Sequence, residues 1–146
     1  MVKEDNQIFV DSNFFIALFN LTDSLHPKVL KISRGLKREN PRLYISNFIF
    51  LEIVTVLSQR VNRETAVLLG NYLLKDKQLE VIHIDKKLNE ITWEIFKSIN
   101  KKNCSFVDAS ILAVMKREGI KKLLTFDKED FLSLKRKYRF NLYPTA

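Results

Sequence analysis

The sequence predicts a three-layer α/β/α sandwich with a central, mainly parallel sheet of four to five strands. Short runs of β-branched and aromatic residues alternate with longer helical stretches, the pattern typical of strand–helix–strand units. Glycine and proline occur only three times each, and no stretch has the composition of a linker. Hydrophobic residues make up 46% of the 146 positions, enough for one core. We therefore expect a single domain over residues 1–146.

A buried strand and a short helix come first in the chain. The strand is predicted over residues 7–10, a short run rich in β-branched and aromatic side chains. It stops at Asp11, which Ser12 and Asn13 follow, and all three residue types favour turns and helix caps. A short helix is therefore predicted over about residues 13–20.

A second helix and two more strand–helix units follow. Asp23 and Ser24 can cap the second helix, and Pro27 fits its first turn, where a missing N–H costs nothing. The helix is predicted to reach about Arg38 before Pro41 breaks the pattern. The next predicted elements are a strand over 42–45, a helix opened by Ser46 or Asn47 and reaching about 59, a helix over 63–74, and a strand over 80–84.

The last third of the chain repeats the alternation. Asp85 can cap a helix, and Ser105 opens another that ends before Gly119. The remaining predicted elements are a strand over 121–125, a short helical segment over 128–133, and an edge strand over 139–143 that Pro144 ends.

The chain is strongly basic, with a formal net charge of +8. Such a charge attracts polyanions, so nucleic acid is the first partner to consider and an anionic membrane the second. The basic residues are scattered in short groups such as Lys135-Arg136-Lys137, which an ordinary solvated surface also explains. Charge alone favours nucleic-acid binding only slightly.

Cysteine, histidine and hydropathy exclude several other classes of protein. One cysteine cannot form an internal disulfide, and two separated histidines are too few for a structural zinc site. The longest early apolar run, residues 14–19, is far too short to span a bilayer. We expect a protein of the reducing cytoplasm, neither secreted nor inserted in a membrane.

Four acidic residues are predicted to meet at one edge of the sheet. Asp11 follows the first strand and Asp127 follows the strand over 121–125, and the carboxyl ends of parallel strands share an edge. Asp108 lies in the first turn of the helix that Ser105 opens. Glu52 lies about one and a half turns into the helix after the second strand.

Each acid also has an ordinary structural interpretation. Asp108 completes a capping box with Ser105, Asp127 can cap the segment that follows it, and Asp11 can make an Asx turn. Taken singly, these structural roles are favoured. Glu52 stands in a nearly all-apolar stretch, where a charge is costly unless it has a partner. Its alternative is a narrow solvent-facing stripe with Thr55 and Gln59 at helical spacing.

Taken together, the four acids indicate a metal site. Carboxylates gathered within a few ångströms repel one another unless cations lie between them. An all-oxygen site suits Mg²⁺ or Mn²⁺, which complete their coordination with water and phosphate oxygens. The chemistry indicated is phosphodiester hydrolysis.

Several short motifs, in order, resemble those of PIN domains, including the VapC-type toxins of bacteria and archaea. The resemblance covers nearly the whole chain. Its motifs are Ile8-Phe9-Val10-Asp11-Ser12-Asn13, Asp23 with His26, Ile45-Ser46 ahead of Glu52, Phe106-Val107-Asp108-Ala109, and Leu124-Thr125-Phe126-Asp127.

The resemblance implies a PIN-like fold and an endoribonuclease that binds Mg²⁺ or Mn²⁺. The implied ligands are Asp11, Glu52, Asp108 and Asp127, with Asp11 as the central one. Ser12 and Thr125 would assist them, and His26 is left out of the site. The compact size of toxin-type members further implies a protein antitoxin as partner and a homodimer. Asp130 stays ambiguous, since it lies three residues beyond Asp127 and can reach the same rim.

Other functions remain open at this point. One is a non-catalytic RNA-binding module with a PIN-like fold, and another is a PIN nuclease that processes RNA without an antitoxin. A phosphotransfer receiver is disfavoured because it needs adjacent acids after the first strand. A haloacid-type phosphatase is disfavoured because position 13 is Asn. Residues 135–139 are a candidate RNA-binding stretch, and helices over 47–74 could present a partner surface or simply form core.

Overall fold

The structure is a computed structural model that describes residues 6–100 and 102–144. Residues 1–5, 101 and 145–146 of the predicted domain lie outside this description. In chain order, the elements are β1 (Gln7–Val10), α1 (Ser12–Phe19), α2 (His26–Glu39), β2 (Arg42–Ser46), α3 (Asn47–Arg60), α4 (Arg63–Lys75), β3 (Leu79–Ile82), α5 (Lys86–Ser98), α6 (Phe106–Glu118), β4 (Lys122–Leu124), α7 (Lys128–Leu132), α8 (Lys135–Tyr138) and β5 (Asn141–Tyr143).

The five strands form one all-parallel sheet in the order β3-β2-β1-β4-β5. In the central strand, Ile8, Phe9 and Val10 are all buried, which is expected when helices cover both faces of a parallel sheet. The predicted α/β sandwich with a central parallel sheet is confirmed.

The strand order creates a switch point beside β1. The chain adds β2 and then β3 on one side of β1, and returns to add β4 and β5 on the other. Val10 pairs with Leu124 in the ladder, and the Asp11 N–H donates to the Leu124 carbonyl at 2.9 Å. Ligands of open parallel sheets bind at such a switch point, beyond the carboxyl ends of the strands.

Helices α3 and α6 supply most of the packing beside the sheet. Ile49, Ile53 and Leu57 are fully buried and recur every four residues on α3. On α6, the seven consecutive residues 109–115 are all buried. These two helices also carry Glu52 and Asp108, so a rigid core holds both acids. No helix in the described part of the chain is long and apolar enough to cross a bilayer.

Three local predictions differ from the structure. No side chain caps α2, because Asp23 lies two residues before the N-cap position Leu25 and accepts from the Leu25 N–H instead, so the predicted cap by Asp23 or Ser24 is wrong. Strand β3 ends at Ile82 because the Ile84 N–H donates to the Asn47 side chain at 2.7 Å. The predicted strand over 139–143 is shorter in the structure, where β5 begins at Asn141. Arg139 instead ends α8 in the left-handed region, with φ of 55°.

Candidate active site

Asp11 is the most buried acid of the cleft at the carboxyl edge of the sheet. It caps α1, and its Oδ1 accepts from the Ser12 N–H at 2.8 Å. Its Oδ2 accepts from the Thr125 hydroxyl, also at 2.8 Å. Asp11 is 3% exposed and Thr125 is 1% exposed. The adjacent ends of β1 and β4 therefore place a carboxylate and its hydroxyl partner in the interior, as the strand pattern predicts.

The surroundings of Asp11 disfavour its negative charge. Burial raises the pKa of Asp11 from 3.8 to about 7. The hydrogen bond from Thr125 opposes this rise, and the negative charges of Asp108 and Asp127 add to it. In the absence of a cation, about half of the molecules would carry a protonated Asp11 near neutral pH.

Glu52 reaches the same cleft through Ser12. The Ser12 hydroxyl donates a hydrogen bond to Glu52 Oε1, which links the first turn of α1 to α3. Glu52 is half-buried, whereas Thr55 and Gln59 are exposed. The solvent-facing stripe considered for α3 thus describes Thr55 and Gln59, while the Glu52 carboxylate is held by a buried hydroxyl.

Asp108 has the capping role that its sequence context suggested, and it also interacts electrostatically with the other acids. It completes a capping box, since its N–H donates to Ser105 Oγ and its Oδ2 accepts from the Ser105 N–H, each at 3.0 Å. Burial raises its pKa, the bonds to Ser105 lower it, and the charges of Asp127 and Asp130 raise it. One side chain therefore stabilises the start of α6 and contributes negative charge to the cleft.

Replacement of Ser105 by alanine is expected to destabilise the protein by about 1 kcal/mol, because the Asp108 N–H loses its partner. The pKa of Asp108 should also rise, since the Ser105 hydroxyl lowers it. Urea unfolding measures the first effect and NMR titration of the side-chain carboxyl the second. Ser105→Thr keeps the hydroxyl and serves as the control. Equal stability of Ser105→Ala and wild type would contradict the capping role.

Asp127 precedes α7 without capping it. Its side chain makes no hydrogen bond to that helix, so a purely structural role as a cap is wrong for this acid. Burial raises its pKa, the charge of Asp130 adds to the rise, and a hydrogen bond with Asn13 lowers it. Asp130 acts electrostatically on both Asp108 and Asp127. The ambiguous Asp130 therefore lies within the electrostatic reach of the cleft.

Asn13 is a site residue that the sequence reasoning missed. Its Nδ2 donates to Thr125 Oγ1 at 3.5 Å, and its Oδ1 accepts from the Phe126 N–H at 3.3 Å. The amide thereby joins α1 to the segment after β4 and lies between Thr125 and Asp127. The available signal was its place in Asp11-Ser12-Asn13, three polar residues directly after a buried strand.

The acids of the cleft carry the oxygen atoms that a hard divalent cation prefers as ligands, but their side chains are not arranged around a common point. Carboxylate and hydroxyl oxygens are suitable ligands, and the mutual pKa effects place Asp11, Asp108 and Asp127 in one electrostatic cluster. Within residues 6–100 and 102–144, however, no three acids, histidines or cysteines converge at ligand distance. The hydrogen bonds to Ser12 and Ser105 hold Glu52 and Asp108 in local roles, so ligation requires these side chains to turn.

His26 is engaged elsewhere. Its Nδ1 lies 2.7 Å from the Ala17 carbonyl oxygen, an arrangement in which that nitrogen donates to the backbone between α1 and α2. This contact explains the presence of a histidine at position 26 by its bond to the backbone, so no role in the cleft is needed.

Comparison with known proteins places this cleft in a family. The PIN domain family matches residues 8–137, which include every acid described above. The 23S rRNA-specific endonuclease VapC20 of Mycobacterium tuberculosis is 32% identical over 120 residues, which are 82% of this chain and 88% of that protein.

Solved structures show the same relationship. The crystal structure of VapC20 from Mycobacterium tuberculosis, a toxin that cleaves the sarcin-ricin loop, matches with a TM-score of 0.75 at 30% identity. The match covers 87% of this chain and 94% of VapC20. FitAcB from Neisseria gonorrhoeae shares the fold, with a TM-score of 0.66, 16% identity, and coverage of 93% and 96%. The predicted family is confirmed, and the chain belongs to the PIN domain family.

Proposed function

We propose that the chain is an endoribonuclease that hydrolyses RNA phosphodiester bonds with Mg²⁺ or Mn²⁺, and that it is the toxin of a toxin–antitoxin pair. The observation that carries the proposal is the buried Asp11 carboxylate at the β1–β4 switch point, surrounded by further acids. A buried carboxylate whose neighbours raise its pKa is stabilised in its charged form when a cation binds beside it. Homology to an endonuclease supports the same activity.

The proposed ligands are Asp11, Glu52, Asp108 and Asp127. When bound, a divalent ion supplies an activated water and neutralises charge on the phosphoryl oxygens. Thr125 fixes the orientation of Asp11 through the hydroxyl hydrogen bond, and Ser12 keeps the Glu52 carboxylate at the cleft until that side chain turns toward the ion. The two hydroxyls are therefore positioning groups, and the acids act mainly as ligands.

Thr125→Val tests the positioning role with little change in side-chain volume. The substitution removes the hydroxyl that donates to Asp11 and accepts from the Asp127 N–H at 3.1 Å. Loss of such an outer hydrogen bond typically costs about 10–100-fold in metal affinity or activity. We expect the valine variant to lose metal affinity or activity by that factor. We also expect a higher pKa in its pH–rate profile, since Thr125 lowers the pKa of Asp11. Thr125→Ser should keep most of the activity. An unchanged pH profile in the valine variant would exclude this role.

The proposed substrate is structured ribosomal RNA. VapC20 is named for 23S rRNA and for the sarcin-ricin loop, and a net charge of +8 favours association with a polyanion. This proposal extends to the class of RNA only, and mapping of the products would identify the bond that is cut.

A protein antitoxin and a second copy of the chain are the proposed partners. On α3 and α4, the residues with the helical spacing of a core are buried, so part of the surface considered for partners is core. The other side of these helices leaves large apolar side chains exposed, namely Leu51, Val67, Leu68, Tyr72 and Leu74. Apolar exposure of this kind favours protein contacts. A site of action in the cytoplasm, where ribosomes are found, completes the proposal.

Cleavage of defined RNAs tests the activity. The purified protein would be incubated with 23S rRNA and with a sarcin-ricin loop hairpin in Mg²⁺ or Mn²⁺, and in EDTA as the metal-free control. Discrete cuts that require both metal and Asp11 are expected. Cuts that persist in EDTA or in Asp11→Asn would rule out the carboxylate mechanism. Binding without cleavage across a broad RNA panel would instead assign the chain to the non-catalytic RNA-binding modules.

Expression in growing bacteria tests the toxin role. Growth arrest that is relieved by Asp11→Asn, or by the protein encoded beside this gene, is expected. Light scattering of the purified chain gives its oligomeric state. Cleavage of RNA without growth arrest would favour a role in RNA processing without an antitoxin.

A further inference from the structure

Basic residues gather at the edge of the sheet opposite the acid cleft. They come from the end of α6, the turn before β4, and the segment that includes α8. We call this group the distal basic face, and its members are Lys116, Lys121, Lys135, Arg136, Lys137 and Arg139.

The distal basic face is separated from the cleft by the length of the strands. Lys121 precedes β4 and Thr125 follows it, and an extended chain rises by about 3.3 Å per residue, so roughly 13 Å lies between them. Asn141, at the start of β5, donates its N–H to the Lys121 carbonyl at 2.7 Å. The face therefore lies along the amino ends of β4 and β5, while Asp11 and Thr125 lie at the carboxyl edge.

The face forms two adjoining clefts that share Lys121 and Arg139. Their volumes are about 440 and 570 Å³, which leaves room for sugar–phosphate units. Among the residues that the structure describes, no acidic side chain lines either cleft. Five of the six cations are exposed, and Lys135 is half-buried. Among the ion pairs that the structure describes within residues 6–100 and 102–144, none involves these six.

Backbone geometry fixes the positions from which the basic side chains extend. Helix α6 ends at Gly119 with φ of 70°, and α8 ends at Arg139 with φ of 55°. The Phe140 N–H closes the second turn by donating to the Lys135 carbonyl at 3.2 Å. A surface that is already ordered loses little conformational entropy when it binds a ligand.

Helix capping accounts for only part of this charge. Cations in the last turn of a helix stabilise its carbonyl end, and four of the six are so placed, namely Lys116, Lys135, Arg136 and Lys137. Lys121 lies outside any helix, and Arg139 lies beyond the last turn of α8. Six like charges around two clefts repel one another, and a polyanion relieves this repulsion.

We propose that the distal basic face binds the phosphate backbone of the RNA substrate, outside the segment that is cut. The proposal rests on the proposed function, since it takes RNA as the substrate. Helices α7 and α8 connect the two sites, because Asp127 precedes α7 and Lys135 begins α8. RNA that follows these helices from the cleft contacts the face within a few nucleotides. Long structured RNA therefore gains contacts that a minimal hairpin lacks.

The test compares two double variants with the same change in charge. Lys121→Glu with Arg139→Glu alters the face. Lys86→Glu with Lys87→Glu is the control, because these exposed lysines lie in the first turn of α5, where acids suit the helix dipole. Thermal unfolding would verify that each variant folds. Arg136→Glu with Lys137→Glu gives a second version of the altered face.

Two measurements use a long ribosomal RNA fragment and a hairpin that carries only the cut site. The first measurement is kcat/KM for the long RNA divided by kcat/KM for the hairpin. This ratio should fall about tenfold in the altered face and stay unchanged in the control. Binding would be measured with Asp11→Asn to prevent cleavage. The logarithm of the association constant falls linearly with the logarithm of the salt concentration, and in the altered face this slope should become shallower by roughly 1.4–1.8, which corresponds to the loss of two phosphate contacts.

Each outcome has a distinct meaning. An unchanged ratio and an unchanged salt slope would overturn the distal site while leaving the nuclease intact. No cleavage of either RNA by the wild type would remove the proposed function, yet the salt slope would still test the face. Binding to phosphatidylserine vesicles that depends on Lys121 and Arg139, with RNA binding unaffected, would assign the face to a membrane surface and overturn the proposal.

Discussion

Asp11→Asn is expected to lower the rate of RNA cleavage by about a thousandfold or more, because the central proposed ligand loses its charge and the loss should exceed the 10–100-fold typical of outer-shell groups. The side chain keeps its shape, and its Oδ1 still accepts from the Ser12 N–H. Single-turnover cleavage at saturating Mn²⁺ measures the chemical step. Activity within tenfold of the wild type would show that Asp11 is not the central ligand.

The same variant should be more stable than the wild type when metal is absent and the pH is high. The folded-state pKa of Asp11 is raised from 3.8 to about 7, so the stability that its protonated form contributes is present below pH 3.8 and is lost as the pH rises through 7. A shift of about 3 pKa units corresponds to roughly 4 kcal/mol. Asparagine avoids this loss, since it carries no charge at any pH.

Calorimetric unfolding in EDTA checks the sign. At pH 8 the Tm of Asp11→Asn should exceed that of the wild type by several degrees, and the difference should shrink toward pH 4. Asp127→Asn is the matched control, because Asp127 is far less buried than Asp11 and its replacement should raise the Tm much less. A lower Tm for Asp11→Asn at pH 8 would mean that the charged carboxylate is stabilised by groups other than a cation.

Metal binding is expected to depend steeply on pH, because a proton and a cation compete for the same carboxylate. Below the pKa of Asp11, about 7, the Kd for Mn²⁺ should rise roughly tenfold for each unit of pH, and above it the Kd should level off. Titration calorimetry at pH 5.5, 6.5 and 7.5 measures the Kd and the uptake or release of protons.

The activity should follow the metal affinity. At subsaturating Mn²⁺, cleavage should increase with pH up to about 7, and saturating Mn²⁺ should move the midpoint to lower pH. Mg²⁺ should show the same trend, and EDTA should remove cleavage at every pH. A Kd that does not vary between pH 5.5 and 7.5 would place the metal away from Asp11.

The fold and the location of the cleft were predictable because they depend on local patterns. The apolar run of β1 ends abruptly at Asp11, and parallel strands bring such ends to one edge. The capping box of Asp108 was visible in four consecutive residues. Glu52 attracted attention because a charge in an apolar helix needs a partner, and the structure supplies Ser12, forty residues away.

Long-range contacts were harder to predict. The bonds of Asn13 to Thr125 and Phe126 join residues more than a hundred positions apart, and the local sequence marks Asn13 only as a polar residue after a buried strand. The influence of Asp130 depends on how α7 turns after Asp127. The cap of α2 was mispredicted because a local bond from the Leu25 N–H to Asp23 competes with capping.

The distal basic face was foreseen only in part. Residues 135–139 were a candidate from their composition, but Lys116 and Lys121 belong to other segments of the chain. The pairing of β4 with β5 brings these segments together, and the left-handed turns at Gly119 and Arg139 set their orientation. The composition of the chain therefore predicted a basic surface, whereas the topology of the sheet determines which basic residues lie together.

The placement of β4 beside β1 has a consequence for biosynthesis. Thr125 hydrogen-bonds to Asp11, although 114 positions separate them in the chain. Nascent chains fold from the amino terminus as they emerge, so Asp11 stays without this partner until the chain has been made as far as Thr125. The bond between β1 and β4 therefore forms only after four of the five strands have been made, so this part of the cleft is completed later than the first strand–helix units.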